Sequence, residues 1–145
     1  MAKTSQSKKA VGIVSKPNKP EVAQIVPGLA EWLRRNSYEF IVDPETSPHA
    51  PGAETVSRED MASRQLKFVI VLGGDGTLLS AARAVSKAGI PIVGVNLGAL
   101  GFLTEVPLDV LYPTLEGIDK GSCDLDVRSM VHCEVGRNGC GHFCR

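Results

Sequence analysis

The stretch Phe68-Val-Ile-Val-Leu-Gly-Gly-Asp-Gly-Thr77 decides the fold, because an apolar run passes directly into three glycines and one carboxylate. Five consecutive apolar residues predict a buried strand. The glycines allow a tight turn and let the backbone approach a ligand with no Cβ atom in the way. If a helix begins here, its free N–H groups and its dipole favour a phosphate at the same point. We therefore interpret residues 73–77, hereafter the glycine turn, as a phosphate- or nucleotide-binding turn.

Asp75 needs a separate explanation, because a carboxylate repels phosphate groups and does not help to hold them. Two roles suit a carboxylate at this place: it accepts a proton from an attacking hydroxyl, or it holds a metal ion. With an ordinary pKa of about 4 it would be ionised at pH 7 and able to accept that proton. The alternative is a turn kept for packing alone, as in many doubly wound proteins. The five-residue block directly after an apolar strand favours the ligand-binding interpretation.

Composition and charge limit the classes of protein and partner. The chain has 145 residues, enough for one domain or for one domain with part of another. Apolar residues make up 43% and charged residues 22%, which is typical of a soluble globular protein. Positive and negative side chains balance at 16 each, so we expect no nucleic acid and no membrane as a partner. No apolar run approaches the ~20 residues that span a bilayer, and the polar residues 1–9 predict a flexible tail on a cytoplasmic protein.

The cysteines do not form a disulfide framework, because the body of the chain has none. All four lie late in the sequence: Cys123, Cys133, Cys140 and Cys144. Residues 132–145 hold three of them and two histidines, residue types that bind zinc. Their spacing matches no standard zinc pattern, so we favour a strand that begins at about Val127 and a chain that then ends in irregular sequence.

The rest of the chain predicts strands that alternate with helices. Apolar residues between positions 22 and 33 fall on one helical face, although Pro27-Gly28 predicts either a kink or a fresh helix start. Ser57 is placed as a helix cap, and Gly89 suits a helix C-terminus. Strands are predicted at residues 10–15, 38–42, 67–72 and 90–95.

Strands that are apolar on both faces predict an α/β fold, a Rossmann-like parallel sheet flanked by helices. Residues 96–105, hereafter the second glycine loop, follow the fourth predicted strand. Ligands bind at the carboxyl ends of strands in such sheets, so we expect both glycine segments to face one cleft. The predicted units are a tail at 1–9, a nucleotide-binding α/β domain at 10–125 and the start of a second domain at 126–145, with a helix at about 112–120 and a strand at 126–135.

Two motifs resemble the NAD kinase family: Gly73-Gly-Asp-Gly-Thr77 and Asn96-Leu-Gly-Ala-Leu-Gly-Phe-Leu-Thr104, at the family's separation. The first is shared with diacylglycerol and sphingosine kinases, and the second separates NAD kinases from these. The resemblance covers about residues 11–135. It implies transfer of the terminal phosphoryl of ATP to the 2′-hydroxyl of the adenosine ribose of NAD, giving NADP. A divalent cation, Mg²⁺, is expected with the ATP, without a dedicated protein metal site.

The resemblance also implies a role for each matching residue. Asp75 would be the general base for the hydroxyl. The nucleotide and its phosphates would contact the rest of the turn: Gly73, Gly74, Gly76 and Thr77. The NAD pocket would include four residues of the second glycine loop: Asn96, Phe102, Leu103 and Thr104. Phe102 and Leu103 would lie against the adenine. Three simpler roles stay open from the residues alone: Phe102 in the core, Asn96 bonded to its own turn, and Thr77 as a helix cap.

The chain departs from the family near its end. Family members continue into a β-sandwich domain, whose entry Arg128-Ser-Met-Val131 resembles, but residues 139–145 do not look like the family's continuation. We therefore expect a truncated second domain and weak or absent activity for this chain alone, and the resemblance implies homo-oligomers at full length. Two alternatives remain: a lipid kinase catalytic domain, against which the second glycine loop argues, and a non-catalytic nucleotide-binding fragment.

Overall fold

The computed structural model describes residues 9–137 and 140–144. The predicted tail lies outside the described residues except for Lys9, which begins the first strand. Six parallel strands form one sheet in the order β3-β2-β1-β4-β5-β6, as the α/β prediction required. Their bounds are β1 Lys9–Ser15, β2 Tyr38–Val42, β3 Glu54–Thr55, β4 Phe68–Gly73, β5 Ile92–Asn96 and β6 Val106–Pro107.

Helices cover both faces of this sheet. The α-helices are α1 Pro20–Arg35, α2 Arg58–Met61, α3 Asp75–Val85 and α4 Leu111–Asp119, and short 3₁₀ turns occur at Ser47–His49, Ser86–Ala88 and Leu108–Val110. Strand β4 is buried along its whole length. Its alternate side chains enter two apolar clusters, one with α1 and α4 and the other with α2 and α3. The strands with apolar side chains on both faces therefore lie in the middle of the sheet, as their sequence predicted.

Helix α1 runs without a break through Pro27, so the prediction of a fresh helix start there is wrong. The proline of the first turn is Pro20 instead. Buried aliphatic residues lie on both sides of Pro27: Val22, Val26, Leu29 and Leu33. Burial of each contributes about 1.5–3 kcal/mol, and together this exceeds the cost of about 3 kcal/mol for a proline inside a helix.

The end of the chain differs from the prediction. No strand begins at residue 126: residues 123–132 lack regular structure, and β7 starts at Cys133. Strand β7 (Cys133–Arg137) pairs antiparallel with β8 (Cys140–Cys144) apart from the main sheet, so the prediction of an irregular end is also wrong. Val127 and Val131 are about nine-tenths exposed. Within the described ranges nothing covers these apolar side chains, and a strand needs a partner to be stable.

Candidate functional site

The strand, turn and helix predicted around the glycine turn are present. Strand β4 ends at Gly73 and helix α3 begins at Asp75, with Gly74 as its N-cap residue. The first N–H groups of a helix have no partners within it, so those of α3 are available to a ligand at the carboxyl edge of the sheet. Thr77 is buried and is not the cap residue, which removes the simpler role considered for it.

Glycine occurs at the three positions of the turn for different structural reasons. A Cβ on Gly73 would lie 2.5 Å from Thr77 Oγ1 and 3.2 Å from Lys16 Cβ, so only glycine fits there. Gly74 has φ −128° and ψ −167°, an extended conformation that any residue adopts. Around both Gly74 and Gly76 a Cβ would meet no described atom within 4 Å. The backbone at these two positions is thus open to a ligand rather than constrained by packing.

The second glycine loop begins beside the glycine turn. Residues Gly73 and Asn96 are partners in the β4–β5 register, and the Leu97 N–H donates to the Gly73 carbonyl at 3.0 Å. The loop connects β5 to the neighbouring strand β6. The structure therefore brings the two glycine segments together at one edge of the sheet.

Asp75 links the two segments directly. Its Oδ2 accepts the Phe102 N–H at 2.9 Å. Its Oδ1 accepts the N–H groups of Leu103 at 3.0 Å and Thr104 at 3.1 Å, and the Thr104 hydroxyl at 3.2 Å. A carboxylate with this many donors is held firmly, because hydrogen bonds to a charged group are stronger than neutral ones.

These hydrogen bonds lower the pKa of Asp75, with the N–H groups of Phe102 and Leu103 as the largest causes and partial desolvation acting in the opposite direction. The sequence had suggested an ordinary pKa, and that expectation is wrong. Donors that stabilise the ionised form lower the tendency to take up a proton. Asp75 is therefore firmly ionised at neutral pH but is a weaker base than a free aspartate.

Asn96 and Thr104 organise the second glycine loop from inside, and both are buried. The Asn96 amide donates to the Ala99 carbonyl at 2.7 Å and to Thr104 Oγ1 at 3.0 Å, and its oxygen accepts the Gly98 N–H at 2.8 Å. The simpler role considered for Asn96, bonding to its own turn, is therefore present. Contact of either residue with NAD remains a prediction.

Phe102 lies outside the core, with 93% of its surface exposed, and Leu100 beside it is 75% exposed. The core role considered for Phe102 is thus not the one that the structure shows. Leu103 is half-buried. Large apolar side chains at the tip of a loop are unusual on a solvated surface and are suited to contact a ligand or another chain.

Sequence reasoning missed a buried polar cluster behind the turn, centred on Arg58. Its guanidinium donates to Asp43 Oδ2 at 2.8 Å, to Ser80 Oγ at 2.8 Å and to the Ser15 carbonyl at 3.0 Å. Asp43 is fully buried and also accepts from Thr46. The cluster joins the ends of β1 and β2 to helix α3, whose first turn carries Asp75. The sequence placed only its neighbour Ser57, as a helix cap, and Ser57 does cap α2.

The described residues offer no protein cage for a metal. They contain no group of three or more histidine, cysteine, aspartate or glutamate side chains placed to hold an ion. The acceptor capacity of Asp75 is largely used by the second glycine loop. The cysteine and histidine side chains at residues 140–144, for which zinc binding was considered, lie outside what is described. In the part of the chain that is described, no helix is long and apolar enough to cross a membrane.

A parallel sheet with a glycine turn, a helix N-terminus and a carboxylate at its carboxyl edge is typical of α/β domains that bind ligands at that edge. Similarity to known proteins identifies the family. Residues 11–122 match the family described as ATP-NAD kinase N-terminal domain. The chain therefore belongs to the NAD kinase family.

Two relatives agree with this assignment, and a solved structure shares the fold. The chain is 53% identical over 131 residues to the NAD kinase of Koribacter versatilis, covering 90% of this chain and 46% of the relative. It is 46% identical over 129 residues to the NAD kinase of Acidobacterium capsulatum, covering 89% and 45%. Yeast NADH kinase complexed with NADH superposes with a TM-score of 0.74 at 19% identity, over 90% of this chain and 43% of that one, a likeness of fold. The chain spans less than half the length of these proteins.

Proposed function

We propose that this chain is the nucleotide-binding part of an NAD kinase, which transfers the terminal phosphoryl of ATP to the 2′-hydroxyl of the adenosine ribose of NAD to give NADP. One observation carries the proposal. The Asp75 carboxylate lies between the turn suited to phosphates and the loop whose motif is characteristic of the family, with hydrogen bonds to that loop of 2.9–3.2 Å. Phosphoryl transfer to a hydroxyl needs a carboxylate between the site of the phosphoryl donor and the site of the hydroxyl.

The proposed chemistry needs alignment, neutralised charge and a proton acceptor. The hydroxyl oxygen forms a bond to the γ-phosphorus, the bond from that phosphorus to the bridging oxygen breaks, and ADP leaves with the electron pair. The hydroxyl proton passes to Asp75. The open backbone at Gly74 and Gly76 lets phosphates approach the N-terminus of α3, and the exposed Lys16 follows β1 beside the turn. Mg²⁺ would neutralise phosphate charge and would be held by the phosphates of ATP, since the described residues form no cage for it.

We also propose that residues 1–145 alone have little or no activity. The apolar side chains of the second glycine loop are exposed, led by Phe102 at 93%. A site open on one side cannot position the acceptor or exclude water, and positioning supplies about 7–11 kcal/mol of such a barrier. As the resemblance implies, full-length protein would form homo-oligomers, and the polar start of the sequence supports a cytoplasmic location.

The test compares two proteins in an enzyme-coupled assay of NADP formation with ATP and Mg²⁺. The first is this chain, and the second is the NAD kinase of Koribacter versatilis as a positive control. We expect NADP from the control and none detectable from the chain, whose binding of ATP and of NAD is measured separately by calorimetry. Binding of neither nucleotide by the folded chain would contradict the proposed function. Robust turnover by the chain would show that the rest of the relatives' length is dispensable.

The apolar residues near the end of the chain give a second readout. Val127 and Val131 are exposed, and exposed apolar surface promotes association. We expect size-exclusion chromatography with light scattering to show self-association that decreases in a Val127→Ser, Val131→Ser variant. A strictly monomeric wild-type chain at high concentration would contradict this expectation.

A further inference from the structure

The two oxygens of the Asp75 carboxylate are used unequally. Oδ1 accepts three hydrogen bonds, from the Leu103 N–H, the Thr104 N–H and the Thr104 hydroxyl. Oδ2 accepts one, from the Phe102 N–H. An ionised carboxylate has about four lone-pair positions, two on each oxygen. Oδ1 is therefore fully used by the second glycine loop, whereas Oδ2 keeps one position for another donor.

Gly101 makes this contact possible. A Cβ at Gly101 would lie 2.3 Å from Asp75 Oδ1, 2.8 Å from Cγ and 2.9 Å from Oδ2. No side chain could occupy that space while the carboxylate stays in place. Gly98 in the same loop is different, since its Cβ would come no closer than 4.0 Å to a neighbouring atom, Asn96 Oδ1. The two glycines form a matched pair, in which only one is required for the contact with Asp75.

We propose that Asp75 is a positioning residue as well as the base: Oδ1 holds the second glycine loop against the glycine turn, and Oδ2 is left to receive the acceptor hydroxyl. Gly101 makes both roles possible, because the absence of a Cβ leaves room for the carboxylate. The base role rests on the proposed function, whereas the positioning role rests on the contacts within this chain. The side chain that takes the proton of the acceptor thereby also fixes the loop that recognises the acceptor. The positions of the loop and of the base are therefore set together.

This dual role changes what substitutions at the site mean. An Asp75→Asn side chain keeps one carbonyl oxygen, but its –NH₂ group cannot accept a hydrogen bond from a backbone N–H. With its oxygen at the Oδ1 position it keeps the three bonds there in a weaker, uncharged form, but it loses the bond from the Phe102 N–H and cannot take the proton. A Gly101→Ala change keeps the carboxylate but displaces it from the loop, so it tests the positioning role without removing the charged group.

The experiment measures amide hydrogen exchange at Leu103 and Thr104 in the ligand-free chain, comparing wild type, Gly101→Ala and Gly98→Ala. We expect exchange at both amides to be about 10-fold or more faster in Gly101→Ala, the scale of a lost hydrogen bond to a charged group. Gly98→Ala should match wild type. The ¹³C carboxyl titration of Asp75 provides a spectroscopic signature: its pKa should move up toward the ordinary aspartate range in Gly101→Ala alone.

A second variant guards against misfolding of Gly101→Ala. Asp75→Ala adds no bulk and should accelerate exchange at the same two amides, while amides of strand β1 stay protected and the circular dichroism spectrum stays unchanged. Wild-type exchange at Leu103 and Thr104 in folded Gly101→Ala and Asp75→Ala would overturn the positioning role. The measurement uses no nucleotide. If the folded chain bound neither ATP nor NAD, the proposed function would be contradicted, but the exchange result would still stand.

Discussion

Gly73 and Asn96 are register partners at the carboxyl ends of the neighbouring strands β4 and β5. Because the two strands end at the same level, the glycine turn and the second glycine loop leave the sheet side by side. The Leu97 N–H closes this junction by donating to the Gly73 carbonyl at 3.0 Å. This pairing places Asp75, two residues after Gly73, within reach of the backbone N–H groups of the second loop.

The first prediction concerns the base in a full-length NAD kinase with the same motifs. Replacement of the aspartate equivalent to Asp75 by Asn should lower kcat by about 10² to 10⁴, the usual contribution of a general base. The KM for NAD should rise as well, because the loop loses the bond from the Phe102 N–H and its other bonds no longer go to a charged group, while ATP affinity stays within a few-fold. Steady-state kinetics measure both. An exposed aspartate of the same enzyme outside both motifs, replaced by Asn, is the matched control. Near-normal turnover would remove Asp75 from the base role.

The second prediction separates folding from phosphate binding in the glycine turn. Gly73→Ala should destabilise the protein by about 1–3 kcal/mol, the range for overpacking, because its Cβ meets Thr77 Oγ1. Gly74→Val should fold, since φ −128° suits any residue and no described atom lies within 4 Å. Its branched side chain should nevertheless weaken ATP binding by blocking close approach of phosphate. Thermal unfolding and calorimetry give the two quantities. A folded Gly74→Val chain with unchanged ATP affinity would mean that the turn does not cradle phosphate.

The third prediction concerns the buried cluster centred on Arg58. Arg58→Met should lower the free energy of unfolding by about 3–5 kcal/mol, because it leaves the fully buried Asp43 without its cationic partner. Arg64→Met is the control, since its ion pair with Glu54 is exposed and such pairs contribute about 0–1 kcal/mol. Urea unfolding of both variants measures the difference. Equal effects would show that the cluster contributes no more than a surface pair.

The fourth prediction concerns how the stability of the folded chain depends on pH. The pKa of Asp75 is lower in the folded chain than its ordinary value, so the ionised carboxylate contributes stability above the unfolded pKa. That contribution is lost as the pH falls through the folded pKa. The stability difference between wild type and Asp75→Asn should therefore shrink on acidification below the ordinary aspartate range. Asp119, whose pKa is lowered mainly by its hydrogen bond from Lys9, titrates in both proteins and cancels. A difference that is constant with pH would contradict the hydrogen-bond account.

The sequence determined the local elements of this protein. The apolar run of β4, the glycine turn and the start of α3 follow from neighbouring residues, because burial pattern and backbone freedom are local properties. The same holds for the Ser57 cap, whose Oγ accepts the Asp60 N–H at 3.1 Å. The two motifs were also sufficient to indicate the family, which the match over residues 11–122 then showed.

Only the tertiary structure decided what the key side chains contact. Asp75 and Phe102 are 27 residues apart, and their hydrogen bond depends on the pairing of β4 with β5 and on the missing Cβ of Gly101. The Arg58 guanidinium donates to the Ser15 carbonyl, 43 residues away in the sequence, and no periodicity predicts that contact. The strand predicted from residue 126 failed for the same reason, since alternation makes a strand only where a partner is present. Local patterns fix the conformation of a segment, but the environment of a side chain depends on residues that are distant in sequence, and it sets both the lowered pKa of Asp75 and the anchoring of the second glycine loop.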